Sequence, residues 1–134
     1  MKRETNQQKT QTGVRIIGGL LKRSKLEVLE RDGLRPTPAR MRETLFNWLM
    51  PTILGAEIVD CFAGTGVLGF EALSRGASRC TFLEKDPAVA RTIEGNLRRF
   101  RRLHQSTILI TDTFDVSAEI FNTANIIFAD PPFH

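Results

Sequence analysis

The sequence predicts an α/β fold: part of a doubly wound sheet, about four parallel strands, preceded by an N-terminal β-hairpin and a helix. Three observations carry this prediction. An apolar run, Ile58-Val59-Asp60-Cys61-Phe62, breaks into a turn holding Gly64, Gly66 and Gly69 and passes into Phe70-Glu71-Ala72-Leu73, which reads as strand, tight loop and helix. Further short apolar runs at 80–83, 107–111 and 124–129 alternate with helical patterning, as buried parallel strands joined by crossovers do. The last run delivers Asp130-Pro131-Pro132-Phe133 to the same end of the sheet as the glycine turn.

With 134 residues, 41% of them hydrophobic, the chain suits one domain with a real core. No apolar run is long enough to cross a bilayer, and the polar start Met1-Lys2-Arg3-Glu4 is followed by no apolar h-region, so a soluble cytoplasmic protein is expected. Cys61 and Cys80 fall inside apolar runs with no ligand-type neighbours, so buried reduced thiols and no metal site are expected; His104 and His134 receive no role. The net charge of +4 is uneven: residues 1–50 hold 11 Lys/Arg against 5 Asp/Glu, and residues 51–134 hold 8 against 10. A basic arm on a near-neutral core points to a polyanionic partner, most simply nucleic acid.

Residues 1–13 are polar and aperiodic and are expected to be a disordered tail. Residues 14–50 form the N-terminal hairpin and helix, an RNA-binding or lid region, and 51–134 the ligand-binding core. Val14-Arg15-Ile16-Ile17, Gly18-Gly19 and the run 20–28 read as a hairpin with a Gly-Gly turn, and Arg15, Lys22, Arg23 and Lys25 on it are candidates for phosphate contacts. Thr37 followed by Pro38 reads as a hydroxyl cap with proline at the first helical position. The helix is expected to run to Met50, stopped by Pro51, with Met41, Leu45, Trp48 and Leu49 as its core stripe. Arg35, Thr37 and Arg40 are candidates for a lid or a phosphate clamp. Asp86-Pro87 opens another helix, with Val89, Ile93, Leu97 and Phe100 on one side and a closing run Arg98-Arg99-Phe100-Arg101-Arg102 that the helix dipole alone explains.

The chemistry lies where the strands end. G-x-G-x-x-G alone is a weak signal, but Asp60 sets a carboxylate at the mouth of the loop, which repels a phosphate and suits a cationic or amine-bearing ligand. Glu84, 20 residues beyond Gly64, is placed to accept ribose hydroxyls, and Asp112 ends the next strand. The implied ligand contains adenosine and no pyrophosphate. In Asp130-Pro131-Pro132-Phe133 the prolines fix the backbone and present a carboxylate, a free carbonyl and a ring together, a cradle for the exocyclic amine of an extruded base with Phe133 stacked on it. Aligning a sulfonium methyl with that nitrogen would then be the catalysis.

These motifs resemble the bacterial 16S ribosomal RNA guanine-N2 methyltransferases of the small-subunit type D family. The resemblance covers residues 14–133 and rests on Val14-Arg15-Ile16-Ile17-Gly18-Gly19, Leu34-Arg35-Pro36-Thr37, Arg42-Glu43-Thr44-Leu45-Phe46-Asn47-Trp48-Leu49, Asp60-Cys61-Phe62-Ala63-Gly64-Thr65-Gly66, Glu71-Ala72-Leu73-Ser74-Arg75 and Asp130-Pro131-Pro132-Phe133. It implies a Rossmann-like S-adenosylmethionine-dependent methyltransferase sheet. S-adenosylmethionine would be held by Asp60, Phe62, Ala63, Gly64, Gly66, Glu84 and Asp112, and Asp130, Pro131 and Phe133 would be catalytic. The implied partner is 16S ribosomal RNA in a partly assembled small ribosomal subunit, met by Arg15, Lys22, Arg23, Lys25, Arg35 and Arg40. The chain departs from the family at Arg23, where glycine is common, and in ending soon after Asp-Pro-Pro-Phe, where family members continue with a helix and three strands. A truncated chain is therefore expected, monomeric by resemblance but with an apolar strand edge that favours self-association. The alternatives are a non-catalytic RNA-binding remnant and an N6-adenine methylase; a nicotinamide enzyme is disfavoured by Asp60.

Overall fold

The computed structural model describes residues 10–131. A two-stranded antiparallel ribbon, β1 (Thr10–Arg15) and β2 (Lys25–Leu29), precedes helix α1 (Ala39–Ile53). The core follows as β3 (Glu57–Cys61), α2 (Val67–Ser74), β4 (Arg79–Glu84), α3 (Pro87–Arg99), β5 (Ser106–Ile110) and β6 (Ile126–Ala129). The four core strands are parallel in the order β5-β4-β3-β6, with Asp60 beside Phe82 on one side and Phe128 on the other. The expected α/β architecture with its ribbon and helix is thus what the chain forms.

Side-chain alternation divides the sheet between two cores. Ile58, Cys80 and Phe82 face the helices, joining Leu26, Phe46, Phe70, Ile93 and Leu97. Val59, Cys61 and Leu83 face the other way and are covered by Val116, Ile120 and Phe121 from the segment before β6. Helix α2 lies close on the sheet because residue 69 has no side chain: a Cβ there would stand 2.4 Å from Phe82 Cε2 and 2.8 Å from Cys80 Sγ. Helix α3 starts as expected, Asp86 accepting the Ala88 amide at 2.9 Å with Pro87 at the first position. Both cysteines are buried and unpaired, and burial pushes both thiols up.

Five expectations need correction. Strand β1 begins at Thr10, so residues 10–13 belong to the ribbon; residues 1–9 lie outside the described residues. Gly18-Gly19 is no two-residue hairpin turn, since the strands end at Arg15 and resume at Lys25. The connection closes instead through Arg23, at φ 72, whose amide donates to the Ile16 carbonyl at 2.8 Å. Arginine occupies there the left-handed conformation that glycine adopts without strain, which accounts for the expected glycine. Pro51 lies inside α1, near enough to its end that the helix continues to Ile53, and Thr37 does not cap it. The buried face of α1 is Arg42, Phe46 and Ile53; of the expected stripe Leu45 and Leu49 pack against the core, while Met41 and Trp48 are 61% and 76% exposed.

The ribbon and its connection are fastened to the core by buried polar side chains that bind main-chain atoms. Glu71 on α2, fully buried, accepts from the amides of Ile17 (3.0 Å) and Gly18 (2.8 Å). Ser74 accepts from the Leu21 amide at 2.9 Å, and Asn96 on α3 binds both the amide and the carbonyl of Glu27, at 3.1 and 2.9 Å. Gly19, at φ 81, fits because a Cβ would stand 2.0 Å from the Ser74 carbonyl oxygen.

Candidate active site

The C-terminal ends of β3, β4 and β6 open into one cavity of about 1010 Å³, closed on its far side by residues 31–38 and Met41. Asp60, Phe62, Ala63, Gly64, Glu84, Asp112, Asp130 and Pro131 all line it, as do Arg35 and Thr37. Of the other expected site residues, Gly66 is absent from this lining: at φ 79 it caps α2, its amide donates to the Ala63 carbonyl at 2.8 Å, and it shapes the turn. Phe133 lies outside the described residues. Arg15, Lys22, Arg23, Lys25 and Arg40 are exposed and line no part of the cavity.

The acidic residues are fixed by the backbone around them. Glu84 accepts the Gly64 amide on Oε1 at 2.8 Å and the Asp86 amide on Oε2 at 3.0 Å, which locks the carboxylate across the glycine turn. Each oxygen keeps a further lone pair for a ligand hydroxyl. Asp112 accepts the Phe114 amide on Oδ1 at 3.0 Å, starting the turn that carries Phe114. Phe62, at φ 54, is a left-handed non-glycine residue, and its ring meets the 83% exposed Phe114 edge-on at 5.6 Å. Backbone strain at such a position marks a site whose shape the surrounding structure enforces.

Asp60 is held far from the usual carboxylate range. It is 2% exposed, and Oδ2 accepts the Gly69 amide at 3.1 Å. Burial, then the negative charges of Asp130 and Glu84, push its carboxyl up to about 8 against the opposing pull of the Gly69 amide. A buried carboxylate with one amide donor lacks a cation, and one brought by a ligand would restore its charge.

Sequence patterning gave no sign of two features. Thr37, expected to cap α1, directs Oγ1 to Asp130 Oδ2 at 3.3 Å. Phe114 sits in a stretch without periodicity, and only its place after Asp112 at a strand end signals a site. Among the described residues no helix is long and apolar enough to cross a membrane.

The family model described as conserved hypothetical protein 95 matches residues 14–134. The chain belongs to that family. Curated relatives of this conserved hypothetical protein 95 member bear the name to which the motifs pointed. It is 48% identical over 124 residues to ribosomal RNA small subunit methyltransferase D of Haemophilus influenzae, covering 90% of this chain and 64% of that protein. It is 45% identical over 120 residues to the protein of the same name from Escherichia coli K12, covering 90% and 60%. The chain thus spans about three fifths of the length of these relatives. A solved Escherichia coli structure described as a methyltransferase matches at TM-score 0.77 and 39% identity, over 90% of this chain and 65% of that one. A Haemophilus influenzae methylase structure matches at TM-score 0.71 and 42% identity, with the same coverage. The fold is therefore that of the Rossmann-like methyltransferases.

Proposed function

We propose that this chain carries the cofactor site and acceptor cradle of an S-adenosylmethionine-dependent enzyme that methylates the exocyclic N2 of a guanine in small-subunit ribosomal RNA, in the cytoplasm. The observation that carries the reading is the meeting of Asp60, Glu84, Asp112 and Asp130-Pro131 around one cavity. The buried, cation-deficient Asp60 fits the amine of a methionine moiety, Glu84 fits ribose hydroxyls with its remaining lone pairs, and Asp112 Oδ2 fits an adenine amino group. Phe62 and Phe114 offer the apolar walls a purine requires. When bound, S-adenosylmethionine supplies an electrophilic methyl group.

The chain's own contribution is positioning. Asp130 Oδ1 and the Pro131 carbonyl accept from the two hydrogens of the guanine amine, encouraging the nitrogen lone pair to localise, and Asp130 holds the proton shed on transfer. The resemblance gives Phe133 the role of stacking on the base. Arg15, Lys22, Arg23, Lys25, Arg35 and Arg40 contact RNA phosphates, which fix orientation without reading sequence. The ribosomal RNA is met within a partly assembled subunit, where the base is still open to extrusion.

The deciding experiment pairs calorimetric titration of S-adenosylhomocysteine with transfer to small-subunit RNA and nucleoside analysis of the product. Asp130→Ala is expected to abolish transfer without weakening cofactor binding, since loss of its charge can only ease ionisation of Asp60. Equal loss of both would refute this division of labour, and methylated adenosine in place of N2-methylguanosine would refute the acceptor. RNA binding that is steeply salt dependent, without cofactor binding, would identify an RNA-binding protein that is no enzyme.

A further inference from the structure

Inside the fold, a chain of contacts joins the glycine-loop helix to the acceptor carboxylate. Glu71 Oε1 accepts from Arg42 Nη1 at 3.1 Å, and both side chains are almost wholly enclosed, with 0% and 4% of their surface exposed. The same Nη1 donates to the Arg15 carbonyl at 2.9 Å, and Arg42 Nε donates to the Thr37 carbonyl at 3.0 Å. Arg75 closes the other side of Glu71, donating to Oε2 at 2.9 Å. The guanidinium fork, donating from both Nε and Nη1, thereby fixes the backbone of Thr37 relative to α2, a span that the single nitrogen of an ammonium cannot cover. Held there, Thr37 sends its hydroxyl across 93 positions of sequence to Asp130 Oδ2 at 3.3 Å.

We propose that Thr37 is a positioning residue for Asp130 and that Arg42 acts through Thr37. The hydroxyl donates to one lone pair of Oδ2 and so orients the carboxylate, which presents Oδ1 to the acceptor amine. The aspartate then takes one hydrogen of that amine and leaves the second to the neighbouring Pro131 carbonyl. This selects acceptors with a primary, two-hydrogen amine over those with a single N–H. Thr37 spends its side chain on this contact instead of capping α1, which has no side-chain cap. The inference rests on the acceptor role proposed for Asp130, but the contact itself does not depend on the acceptor.

The test uses the full chain with carboxyl-labelled aspartate, comparing Thr37→Val, which keeps shape and removes the donor, with Thr37→Ser, which keeps the donor. The Asp130 carboxyl carbon signal is expected to move in the valine variant and to stay near its wild-type position in the serine variant; a signal unmoved by valine overturns the inference whether or not transfer is observed. In the transfer assay the valine variant is expected to lose about tenfold or more in kcat with cofactor KM within about twofold, and serine to restore most of it. Arg42→Lys should reproduce the kcat loss in a folded protein. Full kcat in the valine variant, or loss of cofactor affinity in place of kcat, overturns the inference while the reading tested by Asp130→Ala still stands. Failure of wild-type cofactor binding would refute that reading instead, and the carboxyl signal would still decide the Thr37 contact.

Discussion

Replacing Asp60 with asparagine changes one atom and removes a charge that the fold holds at a disadvantage. The carboxyl is pushed from an ordinary 3.8 up to about 8, chiefly by burial. Between those values the folded protein binds a proton at Asp60 that the unfolded chain has released, so this group's contribution to stability is fully present below pH ~4, falls as pH rises, and is lost above pH ~8. The slope from this group is at most about 1.4 kcal/mol per pH unit, and the loss across the whole window is on the order of 5 kcal/mol. The asparagine of the variant still accepts the Gly69 amide through its side-chain oxygen and has no such titration. Urea unfolding of both proteins from pH 5 to 8 is therefore expected to give curves that diverge, the asparagine variant becoming the more stable towards pH 8. Wild-type affinity for an amine-bearing cofactor should rise up to about tenfold per pH unit below pH 8, as the ionised carboxylate becomes available, and the variant should lose this dependence. Parallel stability curves across the window would refute the argument that burial keeps Asp60 protonated.

Two further perturbations probe the framework. Gly69→Ala forces a Cβ to within 2.4 Å of the fully buried Phe82 ring, so a loss of about 1–3 kcal/mol is expected in urea unfolding; a change below about 0.5 kcal/mol would mean that α2 can lift from the sheet without penalty. Glu71→Gln leaves the buried Arg42 and the largely buried Arg75 without their counter-charge. A loss of about 3–5 kcal/mol is expected, with faster hydrogen exchange at the Ile17 and Gly18 amides, and unchanged exchange there would show that Glu71 does not fasten the connection.

Local chemistry made the core legible. The glycine turn, the capping aspartate at Asp86 and the acidic ends of β3 and β4 are short-range signals whose consequences are also local, and they assembled where expected. The N-terminal region was less legible because its partners are distant in sequence. Met41 and Trp48 have apolar spacing, yet the buried face centres on Arg42 and Phe46, with Leu45 and Leu49 packed beside them. Only the buried Glu71 on another helix explains why a charged side chain can occupy that face. Thr37-Pro38 likewise matches a helix start, and the hydroxyl was claimed by Asp130 instead. The glycine expected at Arg23 carried a real signal, because the backbone there is left-handed, at φ 72.

The way the ribbon is fastened makes it interchangeable in one respect and immutable in another. Glu71, Ser74 and Asn96 grip amides and carbonyls, groups that nearly every amino acid supplies, so the outward side chains at Lys22 and Lys25 can be rewritten without loosening the anchorage. Gly19 has no such freedom, pressed as it is against the Ser74 carbonyl. A designer wishing to aim this arm at a chosen polyanion therefore has a mount with standard fittings: the charge pattern is the replaceable part, and the glycine marks a place where the mount meets the wall.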